Sequence, residues 1–114
     1  MNQFTVKFNL ADSEYMTALR LVCGAIGSVH ELDIDALEDF KVCVTESAII
    51  LKNCGFESLV AAFSGEGAAC TLYGEGGVPQ EGDNEFSLAL ISALVDECDI
   101  ERSGDVIKRV TIKL

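Results

Sequence analysis

Apolar and polar residues alternate at the start of the chain, with Phe4, Val6, Phe8 and Leu10 separated by Thr5, Lys7 and Asn9. A repeat of two predicts a strand with one buried face. From residue 12 the repeat lengthens. Asp12 or Ser13 is placed to cap a helix in which Tyr15, Leu19, Val22, Ile26 and Val29 form an apolar stripe opposite Thr17, Arg20, Gly24 and Ser28. A second helix is predicted from Asp33 or Asp35, where Asp35-x-x-Glu38 has the form of a capping box, to about Asn53, with Gly55 as its stop. Glu38, Lys41, Thr45 and Lys52 then share a solvent stripe, Phe40, Cys43, Ser47, Ile50 and Leu51 face the core, and Glu46 and Asn53 lie on one flank.

Two short apolar segments follow, Leu59 to Phe63 and Ala69 to Tyr73, joined by Ser64-Gly65-Glu66-Gly67, a composition suited to a hairpin. The loop GEGGVPQEGDN holds the only proline, residues 85 to 95 (EFSLALISALV) are apolar enough for a buried helix, and the chain closes with a hairpin about Ser103-Gly104-Asp105. Helices and strands do not strictly alternate in this order. The expected fold is α+β, a two-layer α/β sandwich with a mixed, mostly antiparallel sheet covered on one face by three helices, in one domain spanning residues 1–114.

Composition narrows the function class. With 49% apolar and 24% charged residues the chain belongs with folded domains and not with disordered ones. No apolar run approaches the ~20 residues needed to cross a bilayer, and the start MNQFTVKFN lacks a signal-peptide layout, so a cytoplasmic location without membrane contact is expected. The net charge of −11 opposes direct nucleic-acid binding and suits a basic protein partner. Cys23, Cys43, Cys54, Cys70 and Cys98 are dispersed, with no C-x-x-C pair, and read as buried free thiols. His30 reads as an exposed loop residue.

The stretch LDIDALEDFKVCVTESAIILKNCG, preceded by a strand and a helix, resembles the N-box region of the anti-sigma factor serine kinases, small members of the histidine-kinase and Hsp90-like ATPase superfamily. The likeness extends over nearly the whole chain through the opening strand, the GEGG turn after a strand, and the final helix and hairpin ending in SGDVIKRVTIKL. It implies a Bergerat ATPase-like fold. Glu46 stands where the family keeps the glutamate that activates the attacking hydroxyl, but the magnesium-holding asparagine of that motif aligns with Ile50. The family's adenine-anchoring aspartate aligns with Gly74, at the head of the turn that continues through Gly76 and Gly77. The later Gly-x-Gly aligns roughly with Glu85-Phe86-Ser87, and only Gly77 to Asn84 remain for the ATP lid.

These departures mark Ile50, Asn53, Gly74, Gly76 and Gly77 as vestiges of a cofactor site, with no confident catalytic residue and no metal ligand. Replacing a metal-binding amide by isoleucine removes an oxygen that phosphoryl transfer relies on, while its buried carbons add roughly 2–3 kcal/mol of core stability. The expected protein is a non-catalytic regulatory module that binds neither ATP nor magnesium productively. Its partners would be a sigma factor, an anti-sigma antagonist or a related kinase, and it could form a homodimer as the family does. Under this reading Glu46 is a flank carboxylate reaching water or Lys52. The enzymatic alternative is a divergent ATP-dependent serine kinase with Glu46 as base and magnesium held by Asn53 or by backbone and water. A third reading keeps only the architecture, as an unrelated two-layer domain with a scaffolding or small-molecule role.

Overall fold

The structure, a computed structural model, describes residues 2–114. Its elements are β1 (Phe4–Asn9), α1 (Glu14–Val29), α2 (Ile34–Asn53), β2 (Ser58–Phe63), β3 (Ala69–Glu75), α3 (Glu85–Leu94), β4 (Glu97–Ser103) and β5 (Val106–Lys113). The strands form one sheet in the order β1-β2-β3-β5-β4, with every pairing antiparallel. The sheet is therefore wholly antiparallel, where a mixed one was expected. Helices α1 and α2 join β1 to β2 and hairpins join β2 to β3 and β4 to β5, while α3 carries the chain from β3 to β4, which runs parallel to β3 at the sheet edge; β5 then fills the place between them antiparallel to both, so no two neighbours are parallel.

Leu59, Ala61 and Phe63 of β2, Cys70 and Leu72 of β3, and Ile107, Val110 and Ile112 of β5 are buried in one core with Phe40, Cys43, Val44, Ile50 and Leu51 of α2. The helix α2 lies over the middle of the sheet, touching β2, β3 and β5, while α1 packs along one side of it and α3 along the other. The result is the two-layer α/β arrangement. At the edge, β1 keeps the expected alternation, but Phe4 is 43% exposed because no further strand continues the layer beyond it.

Asp33 is the N-cap of α2, its Oδ1 accepting from the Ala36 N–H at 2.8 Å. Gly55 ends the helix with φ +89°, a conformation that glycine adopts without strain. Ser13 stands at the N-cap of α1 but makes no side-chain cap, having itself turned helical. The buried face of α1 also differs from the expected stripe: it comprises Tyr15, Leu19, Cys23, Ile26 and Gly27, while Val29 is 58% exposed. The cause is the crossing with α2, where Leu37 sits against Gly27 so closely that any Cβ there would collide with it.

Thr45, expected in the solvent stripe of α2, is buried, because its hydroxyl donates to the carbonyls of Lys41 (2.8 Å) and Val42 (3.1 Å) and so needs no water. His30 is half-buried at the C-cap of α1 and not an exposed loop residue; its backbone N–H donates to the Ile26 carbonyl, and its Nε2 is buried without a hydrogen-bond partner. Four of the five cysteines are buried and Cys98 is half-buried, all unbridged. Among the described residues no helix is long and apolar enough to cross a membrane.

Candidate functional site

The flank of α2 that carries Glu46 and Asn53 faces α3 and the loop leading into it. At its centre the Ser87 hydroxyl donates to Glu46 Oε2 at 2.7 Å. Ser87 belongs to the first turn of α3 and is buried, so the carboxylate is engaged by the helix laid across it. Lys52, the expected alternative partner of Glu46, instead holds its ammonium 5.5 Å from the centre of the Tyr15 ring. Burial, and to a lesser degree the Glu46 carboxylate, push the Tyr15 phenol above its ordinary pKa. A serine beside a carboxylate is a possible nucleophile only if it can meet substrate; Ser87 is sealed between two helices.

A hydrogen bond to a charged group is worth about 1.5–3 kcal/mol, and less here, since Glu46 is only half-buried and water can replace the lost donor. Ser87→Ala is therefore expected to lower stability by about 1–2 kcal/mol in urea denaturation, with Glu46→Gln milder because an amide still accepts from the hydroxyl. Equal losses from the two substitutions would mean that the carboxylate charge matters more than the bond.

Asn53 donates through Nδ2 to Asn84 Oδ1 at 3.2 Å, and Asn84, itself buried, reaches back to the Cys54 sulfur. The Gln80 backbone N–H donates to the Cys54 carbonyl at 2.8 Å, and its side-chain amide donates to the Asn53 carbonyl. Residues 77 to 84 thus run as a strap across the end of α2. Two glycines permit this approach. Gly77 (φ +70°) lies against the Gly55 carbonyl and Gly55 against the Val78 carbonyl, so a Cβ on either would overlap the facing backbone.

The remaining positions singled out in the sequence are also taken up by packing. Ile50 is fully buried in the core. Phe56, which precedes β2, lays its ring over Gly74 so that any Cβ at residue 74 would fall inside the ring. Gly76 (φ +70°) completes the turn after β3 beside the Glu57 carboxylate. Glu46, Asn53, Gly74, Gly76 and Gly77 therefore lie along one side of α2 and its C-terminal turn, but each faces a neighbour within the protein.

A hollow of about 500 Å³ opens where α3 begins, walled by Glu81, Asp83, Glu85, Asp105 and Arg102. Four carboxylates against one guanidinium repel a phosphate chain. A second hollow, about 420 Å³, lies under the β2–β3 turn, lined by Ser64, Glu66, Thr71 and small neighbours. Among the described residues no three His, Cys, Asp or Glu side chains are grouped to hold a metal ion. Burial pushes the Cys23 and Cys43 thiols up to about 12 and the Cys70 thiol well above its ordinary value, which makes poor nucleophiles of all three.

The residues at the positions that the resemblance would assign to Mg-ATP do not fit it: Ile50 is an aliphatic side chain in the core, Gly74 lies under the Phe56 ring, and the hollow at the start of α3 is acidic. No protein-family model matches the chain, and no curated protein matches it. Sequence reasoning placed Ser87 and Asn84 only in the stretches that the resemblance aligns with the phosphate loop and lid, missing their contacts with Glu46 and Asn53, and it missed Phe56 altogether. Ser87 and Asn84 lie 41 and 31 residues from the partners they meet, and nothing local signals either contact.

Proposed function

We propose that this protein is a non-catalytic regulatory module that acts by binding another protein, a relative of the anti-sigma factor serine kinases in which a Bergerat ATPase-like scaffold is kept and the nucleotide site is lost. The observation that carries this reading is the Ser87 hydroxyl on the Glu46 carboxylate. The group that would have to activate an attacking hydroxyl is half-buried against α3 and already accepts from a side chain of its own fold. A partner of this module would be a sigma factor, an anti-sigma antagonist or a related kinase, met through the surface and not through a phosphorylated intermediate.

Thermal denaturation with and without millimolar Mg-ATP and Mg-ADP tests the reading. No change in melting temperature is expected. A ligand at 100 times its dissociation constant adds about 2.7 kcal/mol, which in a domain of this size raises the melting temperature by several degrees. A rise of that size with either nucleotide would favour the divergent serine kinase, with Glu46 as base and Asn53 on the metal.

A further inference from the structure

The helix α3 has the sequence EFSLALISAL, yet only Ser87 and Ile91 are buried. Leu88 and Leu94 pack against the core from its margin. Phe86 is 76% exposed, Ala89 and Ala93 are exposed and Leu90 is half-buried. These four stand at i, i+3, i+4 and i+7, so they form one apolar stripe along the outside of the helix, with two large side chains separated by small ones. A helix built to be covered on one side is apolar on both.

The stripe is ringed by acid. Glu81, Asp83 and Glu85 stand at the start of α3, and Asp96 and Glu97 at its end, where no basic residue occupies the last turn. Residues 81 to 105 hold eight carboxylates against one arginine, a net −7 of the chain's −11. Negative charge beyond a helix C-terminus opposes the helix dipole, so Asp96 and Glu97 are not there to stabilise α3. Their position is complementary to cations brought from outside.

We infer that the outer face of α3 is the docking surface for an amphipathic helix of a partner protein whose apolar stripe is flanked by lysines and arginines. The apolar stripes pack ridge into groove over about 15 Å, the length of ten helical residues, while the basic flanks meet the acids at both ends. A second copy of this chain is the poorer occupant, since it would set one acidic collar against another. The inference rests on the protein-binding reading and says which surface serves it. It fails separately, because the nucleotide titration above does not involve the outer face of α3.

The probe is a synthetic peptide of about five helical turns, with leucines on one face and lysines on the other, titrated into the whole protein by calorimetry and mapped by amide NMR. Signals of residues 84–95 are expected to shift. A peptide of the same composition in scrambled order, and the Phe86→Ser protein with the native peptide, are each expected to bind roughly tenfold more weakly. Phe86 is exposed enough for the substitution to leave the fold intact, which unchanged spectra elsewhere would verify; Leu90→Ser serves as a second variant.

Absence of binding, equal affinity of the scrambled peptide or of both variants, or shifts confined to α1 and β1 would overturn the proposal. So would a wild-type dimer in sedimentation that Phe86→Ser dissociates, which would assign the face to a second copy.

Discussion

Ile50→Asn is expected to destabilise the protein by roughly 2–4 kcal/mol and to produce no rise in melting temperature with Mg-ATP. The substitution writes back the residue that the resemblance places at the metal. Ile50 is fully buried within the core formed by α2 and the sheet. Asparagine there gives up most of the transfer energy of an aliphatic side chain, about 2–3 kcal/mol, and buries an amide with no partner. Since small domains are stable by only about 5–15 kcal/mol, the loss is easily read as a lower urea midpoint at unchanged slope. Ile50→Val, which trims one methylene, should cost about 1 kcal/mol. If asparagine instead proved neutral, residue 50 would have to face water, and the cleft beside α2 would be open.

Gly74→Asp should cost about 3 kcal/mol, through overpacking. A Cβ at this position would land within the Phe56 ring, so the ring must swing out of the core or β3 must pull away from β2. The partner substitution tests the cause. Phe56→Ala alone loses core burial, but the double variant should be less destabilised than the two single effects together, because the collision is gone. Strict additivity in that cycle would show that the cost of Gly74→Asp comes from burying a carboxylate and not from the ring.

The periodicities carried the fold a long way. Repeats of two at residues 4 to 10 and of about 3.6 through residues 34 to 53 are consequences of burying one side of an element, and both elements formed where their patterns lie. Gly55, Gly67 and Gly104 end or turn the chain at the expected places with positive φ. The face of α1 was harder to read. Its neighbour is a helix, and the approach of Leu37 to Gly27 rotates the buried stripe towards Cys23, away from Val22 and Val29. Composition suggested full burial for α3, but composition reports only that a surface is apolar and not whether this chain covers it; Phe86 is the residue where the two part.

The candidate site was legible in its backbone and obscure in its contacts. Spacing along α2 put Glu46 and Asn53 on a common flank, and the structure keeps both towards α3 and the strap. Which groups they meet depends on loop path and helix docking, set by contacts far apart in sequence. The ring of Phe56 over Gly74 belongs to the same class, since it joins residues on either side of a hairpin whose geometry fixes the pair but whose sequence does not announce it.

The way the strap meets α2 also bears on the order in which the molecule can assemble. A helix normally leaves its final carbonyls to water or to a local cap, whereas those of Asn53 and Cys54 are taken by Gln80, well downstream. The carbonyls of Leu51 and Lys52 are met locally by the N–H groups of Phe56 and Gly55, so the turn closes by itself and only its two terminal acceptors depend on the strap. During synthesis those two acceptors stay with water until the chain beyond β3 has emerged and folded back, so the seam between the two halves is the one part of this helix end that local structure does not finish.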